Sequence, residues 1–239
     1  MRYKSLLLAV AIAVVLLGGT GFGLVLLLRH EPAFYVRAAV PPGQARTDCS
    51  DDFSREFSQR LLNGIVNKRR WDARFTEEQI NSYLAEDFIT KHNGEHVLPQ
   101  GVCDPRISLE ADGLRVGFRY GKGSWSTVIS VDLQVWLVKK EPNVVALEFK
   151  ALHAGALPIS AQSILERIAE MAQQQNIEVT WYRHQGHPVV SLRFEADRSN
   201  PTFLLQQLEL RPGTLRIIGR SLDGVQRASS TALAPVDKD

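Results

Sequence analysis

The chain has 239 residues, a formal net charge of +2 and two cysteines. That length suits one domain or two small ones, with a core that needs neither disulfides nor a metal. The near-neutral balance, without a run of five or six like charges, provides no field to draw nucleic acid, and no nucleic-acid partner is expected.

The mean hydropathy of −0.12 averages two unlike parts. Leu6 to Leu28 contains no charged residue, with Arg2 and Lys4 before it and Arg29, His30 and Glu31 after it. About 23 residues at ~1.5 Å each give roughly 35 Å of helix, against a hydrocarbon core of ~30 Å. Residues 1–29 are therefore expected to be an N-terminal anchor with a single transmembrane helix at 6–28. The chain would then sit in a bacterial cell membrane with its folded domain extracytoplasmic. Arg-His-Glu-Pro after Leu28 suits signal cleavage badly. Gly19 and Gly23 form a GxxxG pair that would allow a homodimer through the anchor.

Residues 30–48 read as a linker, because Pro32 and Pro41-Pro42-Gly43 discourage regular structure. Residues 49–222 read as an α+β domain, and residues 223–239, rich in Ser, Ala, Pro and charge, as a disordered tail. For Cys49 and Cys103 two readings stand. One is a disulfide tying the first domain helix to the start of the sheet; the other is two separate thiols.

Ser50 or Asp51 is placed to cap a helix in which Phe53, Phe57, Leu61 and Ile65 recur every four residues. Thr76 with Gln79 forms a capping box for a second helix whose inward positions are Ile80, Tyr83, Leu84 and Phe88. After Pro105 the apolar period falls from about 3.6 to 2, which predicts strands. Ile107 and Leu109, then Leu114 to Tyr120, Thr127 to Leu137, and Val145 to Phe149 form an antiparallel meander. Its turns are Ala111-Asp112-Gly113, Gly121-Lys122-Gly123-Ser124 and Glu141-Pro142-Asn143. Ser160 then caps a helix striped by Ile164, Leu165, Ile168 and Met171. Four further strands follow, around Val179, Val190, Phe203–Leu210 and Thr214–Gly219.

No catalytic motif is present. Gly121-Lys122-Gly123-Ser124 precedes a strand where a phosphate loop needs a helix. His92 and His96 are separated by Asn93-Gly94, which breaks the helix that would align them. His184 and His187 flank a turn and read as exposed loop residues, and His153 reads as structural. Glu77-Glu78 and Asp51-Asp52 fit helix first turns better than an acid–base pair. Neither a metal nor a cofactor is expected, and the chain is read as a non-enzyme.

Two segments carry a resemblance. Phe75-Thr76-Glu77-Glu78-Gln79-Ile80-Asn81-Ser82-Tyr83-Leu84 resembles the opening of YpmS-like bacterial envelope proteins. Leu152-His153-Ala154-Gly155-Ala156-Leu157-Pro158 is similar to the step before the long helix of that family. The resemblance implies a TULIP-like half-barrel, a curved antiparallel sheet wrapped around helices, with an apolar concavity suited to lipid. The lining it implies is Val116, Phe118, Val131, Leu133, Val135, Leu147 and Phe149, faced by Leu157, Ile164, Ile168 and Met171. The function expected on this basis is binding of membrane lipid or another hydrophobic ligand. The alternative is a non-catalytic interaction module that scaffolds another envelope protein.

Overall fold

The computed structural model describes residues 2–66, 70–88, 98, 100–111, 113–121, 123–160, 178–194 and 201–222, with side chains in the first helix from Val15 onward. Helices are α1 (Arg2–Arg29), α2 (Ala33–Arg37), α3 (Gln44–Glu56), α4 (Asn63–Val66) and α5 (Glu77–Tyr83). Strands are β1 (Arg70–Thr76), β2 (Val102–Glu110), β3 (Gly113–Tyr120), β4 (Thr127–Leu137) and β5 (Val144–Ala154). They continue with β6 (Leu157–Pro158), β7 (Glu178–His184), β8 (His187–Arg193), β9 (Phe203–Arg211) and β10 (Thr214–Ser221).

The strands form two antiparallel sheets. One has seven strands in the order β2-β3-β4-β5-β8-β7, with β6 on β5, and the other has three in the order β1-β10-β9. The meander expected from alternation is present as β2 to β5. A TULIP-like half-barrel is not: the larger sheet ends at β2 and β7 without closing, and the last two strands leave it to pair with β1. Of the described helices, α1 reaches the larger sheet only by its end, where Leu28 packs on the apolar cluster. α3 and α5 pack on each other and on β1, and α5 also touches β2. The helix expected after Ser160 lies outside the described residues, as does the tail.

Among the described residues no helix is long and apolar enough to cross a membrane. The described side chains of α1 run from Val15 to Arg29. The expected single-pass span, and the cell-membrane location built on it, are corrected on that finding.

The stretch 30–48 also differs from a linker. It carries α2 and the first turns of α3, and Phe34 and Tyr35 are buried. Tyr35 donates its hydroxyl to the Asp104 carbonyl at 2.8 Å, and Arg106 donates to the Tyr35 carbonyl at 2.8 Å with its guanidinium 4.2 Å from the Tyr35 ring centre. Gly117 makes this possible, since a Cβ there would collide with the Tyr35 ring. The end of α1 is held as well. Ala156 N–H donates to the Leu27 carbonyl at 2.8 Å, and the Thr127 hydroxyl donates to that of Leu28.

The helix expected from Ser50 or Asp51 begins at Gln44 and widens into a π-helical turn at Phe57–Leu62 before α4. A strict spacing of four outruns an α-helix by about 40° per step. The wider turn absorbs that drift, so the spacing of Phe53, Phe57, Leu61 and Ile65 is the signature of the π insertion. Phe53 lies 5.1 Å from Phe75 and 4.5 Å from Tyr83, ring centre to ring centre. The capping box holds, with Gln79 N–H donating to Thr76 Oγ1 at 3.1 Å and Thr76 N–H to Gln79 Oε1 at 2.9 Å. The fully buried α5 residues, however, are Asn81 and Ser82, while Ile80, Tyr83 and Leu84 are half-buried. Asn81 is buried because its carboxamide pairs with both backbone groups of Ile107, at 2.8 and 2.9 Å.

Candidate functional site: the apolar face of the seven-stranded sheet

Side chains alternate across a strand, so cross-strand partners share a face. Val116 pairs with Val131, Phe118 with Ile129, Leu133 with Phe149, Val135 with Leu147, and Leu147 in turn with Val190. Leu157 on β6 pairs with Ala154. All eight of these expected lining residues that are described therefore share one face. Ile164, Ile168 and Met171 lie outside the described residues.

The centre of this face is a buried cluster of Ile129, Val131, Phe149, Leu152, Ala154 and Val190. Packed against it, half-buried, are Leu28, Phe118, Leu133, Leu147, Val179, Trp181 and Leu192. Val131 and Phe149 are thus core, whereas Phe118, Leu133 and Leu147 form a rim. Trp181 lies 6.2 Å from Phe149, ring centre to ring centre.

Sequence alternation missed Leu152 and Ala154, because extending Val145, Leu147 and Phe149 by two leads to Ala151 and His153. The register shifts between Asp132 and Leu133, which leaves Lys150 as the extra residue of a bulge and moves the even-numbered residues onto the apolar face. Val179, Trp181, Val190 and Leu192 did alternate visibly, but only the structure places them beside β5.

The opposite face has a polar centre. Glu148, 1% exposed, accepts from Lys150 Nζ at 2.8 Å and meets His187 Nδ1 at 3.0 Å and His184 Nδ1 at 3.5 Å. Burial pushes the Glu148 carboxyl up, but hydrogen bonds from Lys150 and His187 outweigh that and hold it below the ordinary carboxylate range. His184 and His187 are therefore partners of a covered carboxylate, not bare loop residues. Sequence gave no sign of this, since Glu148 lies 39 residues from His187.

Cys49 and Cys103 are free, half-buried thiols, so no disulfide ties α3 to β2. Burial raises both, aided at Cys49 by the charge of Glu78 and at Cys103 by that of Asp104. Among the described residues no three His, Cys, Asp or Glu side chains converge on a metal position. Taken together, this side of the sheet offers apolar surface, and the far side a self-neutralising polar cluster. No family model, curated protein or solved structure matches the chain.

Proposed function

We propose that the chain is a non-catalytic binding protein that holds a hydrophobic ligand of lipid class on the apolar face of its seven-stranded sheet. The observation that carries this reading is the half-buried rim of Phe118, Leu133, Leu147, Val179, Trp181 and Leu192 around a continuous apolar centre. Ligand sites of this kind are mostly apolar, with few polar fixing groups. The resemblance of residues 75–84 and 152–158 to YpmS-like proteins points the same way.

Intact-mass measurement of the full chain under native and denaturing conditions, after incubation with mixed phospholipids, tests the proposal. A one-to-one adduct lost on denaturation is expected. Leu133→Asp should abolish it while the domain stays folded, because Leu133 is half-buried and its charge reaches solvent. A clean unliganded mass after incubation would sink the reading. It would favour a protein-scaffolding module, for which Trp125, 88% exposed, and the neighbouring Tyr120 at the β3–β4 turn are the contact surface.

A further inference from the structure

The three-stranded sheet has a second kind of site along its free edge. β1 is an edge strand, and a cleft of about 680 Å³ runs between it and the helical segment, lined by Gln59, Arg60, Asn63, Gly64, Arg70, Trp71 and Asp72. Gln59 and Arg60 come from the π-helical turn, a local widening common at functional sites.

The charges of this cleft are unevenly matched. Asp72, its carboxylate, is engaged by Arg216 through both oxygens, at 2.9 and 2.5 Å. Arg60, itself exposed, has a half-buried partner in Glu56 at 3.4 Å. Arg70 stands directly opposite Arg220 in the β1–β10 pairing. No ion pair joins either of these two to an acid among the described residues. Like charges opposite one another destabilise a sheet unless an anion is shared between them.

The backbone adds donors. Arg74 N–H leaves the sheet edge to reach Glu56 Oε1 at 3.2 Å. By strand alternation the Asp72 N–H, two residues earlier, points off the same edge toward the cleft. Trp71 lines the cleft, and its buried indole N–H has no acceptor among the described residues. The indole is fixed between Gly64 and Gly219, where a Cβ on either glycine would collide with it.

We infer that a small ligand binds through a phosphate group at the Arg70 end of this cleft, held by Arg70 and by Arg220, which stands beside it on β10 without lining the cleft, with Arg60 and the Asp72 amide at its border. Phosphate fits better than a lone carboxylate. The one carboxylate of the cleft, Asp72, is already engaged by Arg216, and the guanidinium forks of Arg70 and Arg220 match a group with three acceptor oxygens and close to two negative charges. The inference is independent of lipid binding on the other sheet.

Inorganic pyrophosphate titrated into the full chain at low ionic strength, followed by calorimetry, tests it. Saturable one-to-one binding is expected. Arg70→Gln and Arg220→Gln should each weaken it about tenfold, as expected for loss of a charged hydrogen-bonded fork. Arg211→Gln, on the same sheet but outside the cleft, should leave it within about twofold. These variants remove a like-charge repulsion, so loss of folding does not confound them. Absence of saturable binding, or equal weakening by Arg211→Gln, overturns the proposal. So does binding of a hexaglutamate peptide without binding of pyrophosphate, which would make the edge a docking strip for acidic protein segments.

Discussion

Asn143 and Leu205, 62 residues apart, are joined by a hydrogen bond of 2.8 Å from the Leu205 amide to the Asn143 Oδ1. The same carboxamide donates through Nδ2 to the Phe203 carbonyl, also at 2.8 Å. One side chain in the β4–β5 turn therefore occupies the backbone of β9 as a neighbouring strand would, and ties the two sheets together. The Asn143 backbone has φ 57°, a conformation that asparagine tolerates better than most residues.

Asn143→Ala should accordingly destabilise the fold by about 2–4 kcal/mol, from two buried backbone groups left unpaired and a strained φ. Asn143→Asp keeps the acceptor and the left-handed tolerance but loses the donor, and should fall between wild type and the alanine variant. Urea denaturation measures both. Equal midpoints for wild type and Asn143→Ala would show that packing between β9 and the larger sheet holds the two together unaided.

This joint explains which parts of the fold could be read in the residues and which could not. The β2–β5 meander was legible because period 2 and turn residues are local signals. β1 was missed although Trp71, Ala73 and Phe75 alternate with charged residues. The strand is short and ends on Thr76, whose capping role drew it toward the helix. The departure of β9 and β10 into a second sheet depends on Asn143, Trp71 and the chain from Glu77 through Gly213 to Leu109, all long-range. Glu77 Oε2 accepts from Leu109 N–H at 2.7 Å, and Gly213 N–H donates to the Leu109 carbonyl at 3.0 Å. The apolar face was half legible, since alternation identified Val116 to Phe149 but could not foresee the bulge at Lys150.

Glu148 gives the fold a pH dependence of defined sign. Its folded carboxyl lies below its ordinary value, so the unfolded chain binds a proton more readily than the folded one. The stability this confers is fully present above the unfolded value of about 4.3 and is lost as pH falls through the lower folded value. Lys150, His184 and His187 are the groups facing it. Denaturation midpoints should decline with acidification below that range in the wild type, and less steeply in Glu148→Gln. Parallel profiles for the two proteins would remove Glu148 from the acid response.

Gly155 tests the collar that holds the end of α1. It has φ 59°, and a Cβ would collide with the Leu27 and Leu28 carbonyl oxygens. Gly155→Ala should release that contact while leaving β4 and β5 paired. Hydrogen exchange reads this directly. The Ala156 amide, bonded to the Leu27 carbonyl, should lose protection, and the Leu133 and Leu147 amides in the sheet should keep theirs. Unchanged protection at Ala156 would mean that the collar yields to the new methyl without opening.

The Arg70–Arg220 pair predicts an effect on stability opposite to that of most surface arginine losses. Exposed ion pairs contribute little, and removing one partner usually costs a few tenths of a kcal/mol. Here Arg70 and Arg220 stand opposite each other across β1 and β10, and no ion pair joins either to an acid among the described residues. Arg70→Gln should therefore raise stability by about 0.2–1 kcal/mol at low salt, and the gain should shrink as salt screens the repulsion. Added pyrophosphate should reverse the order, stabilising the wild type more than the variant, because a ligand stabilises only the form that binds it. Thermal denaturation of the two proteins, at low and high salt and with and without pyrophosphate, separates these effects. A loss of stability on Arg70→Gln at low salt would show that the arginine makes a favourable contact that outweighs the repulsion.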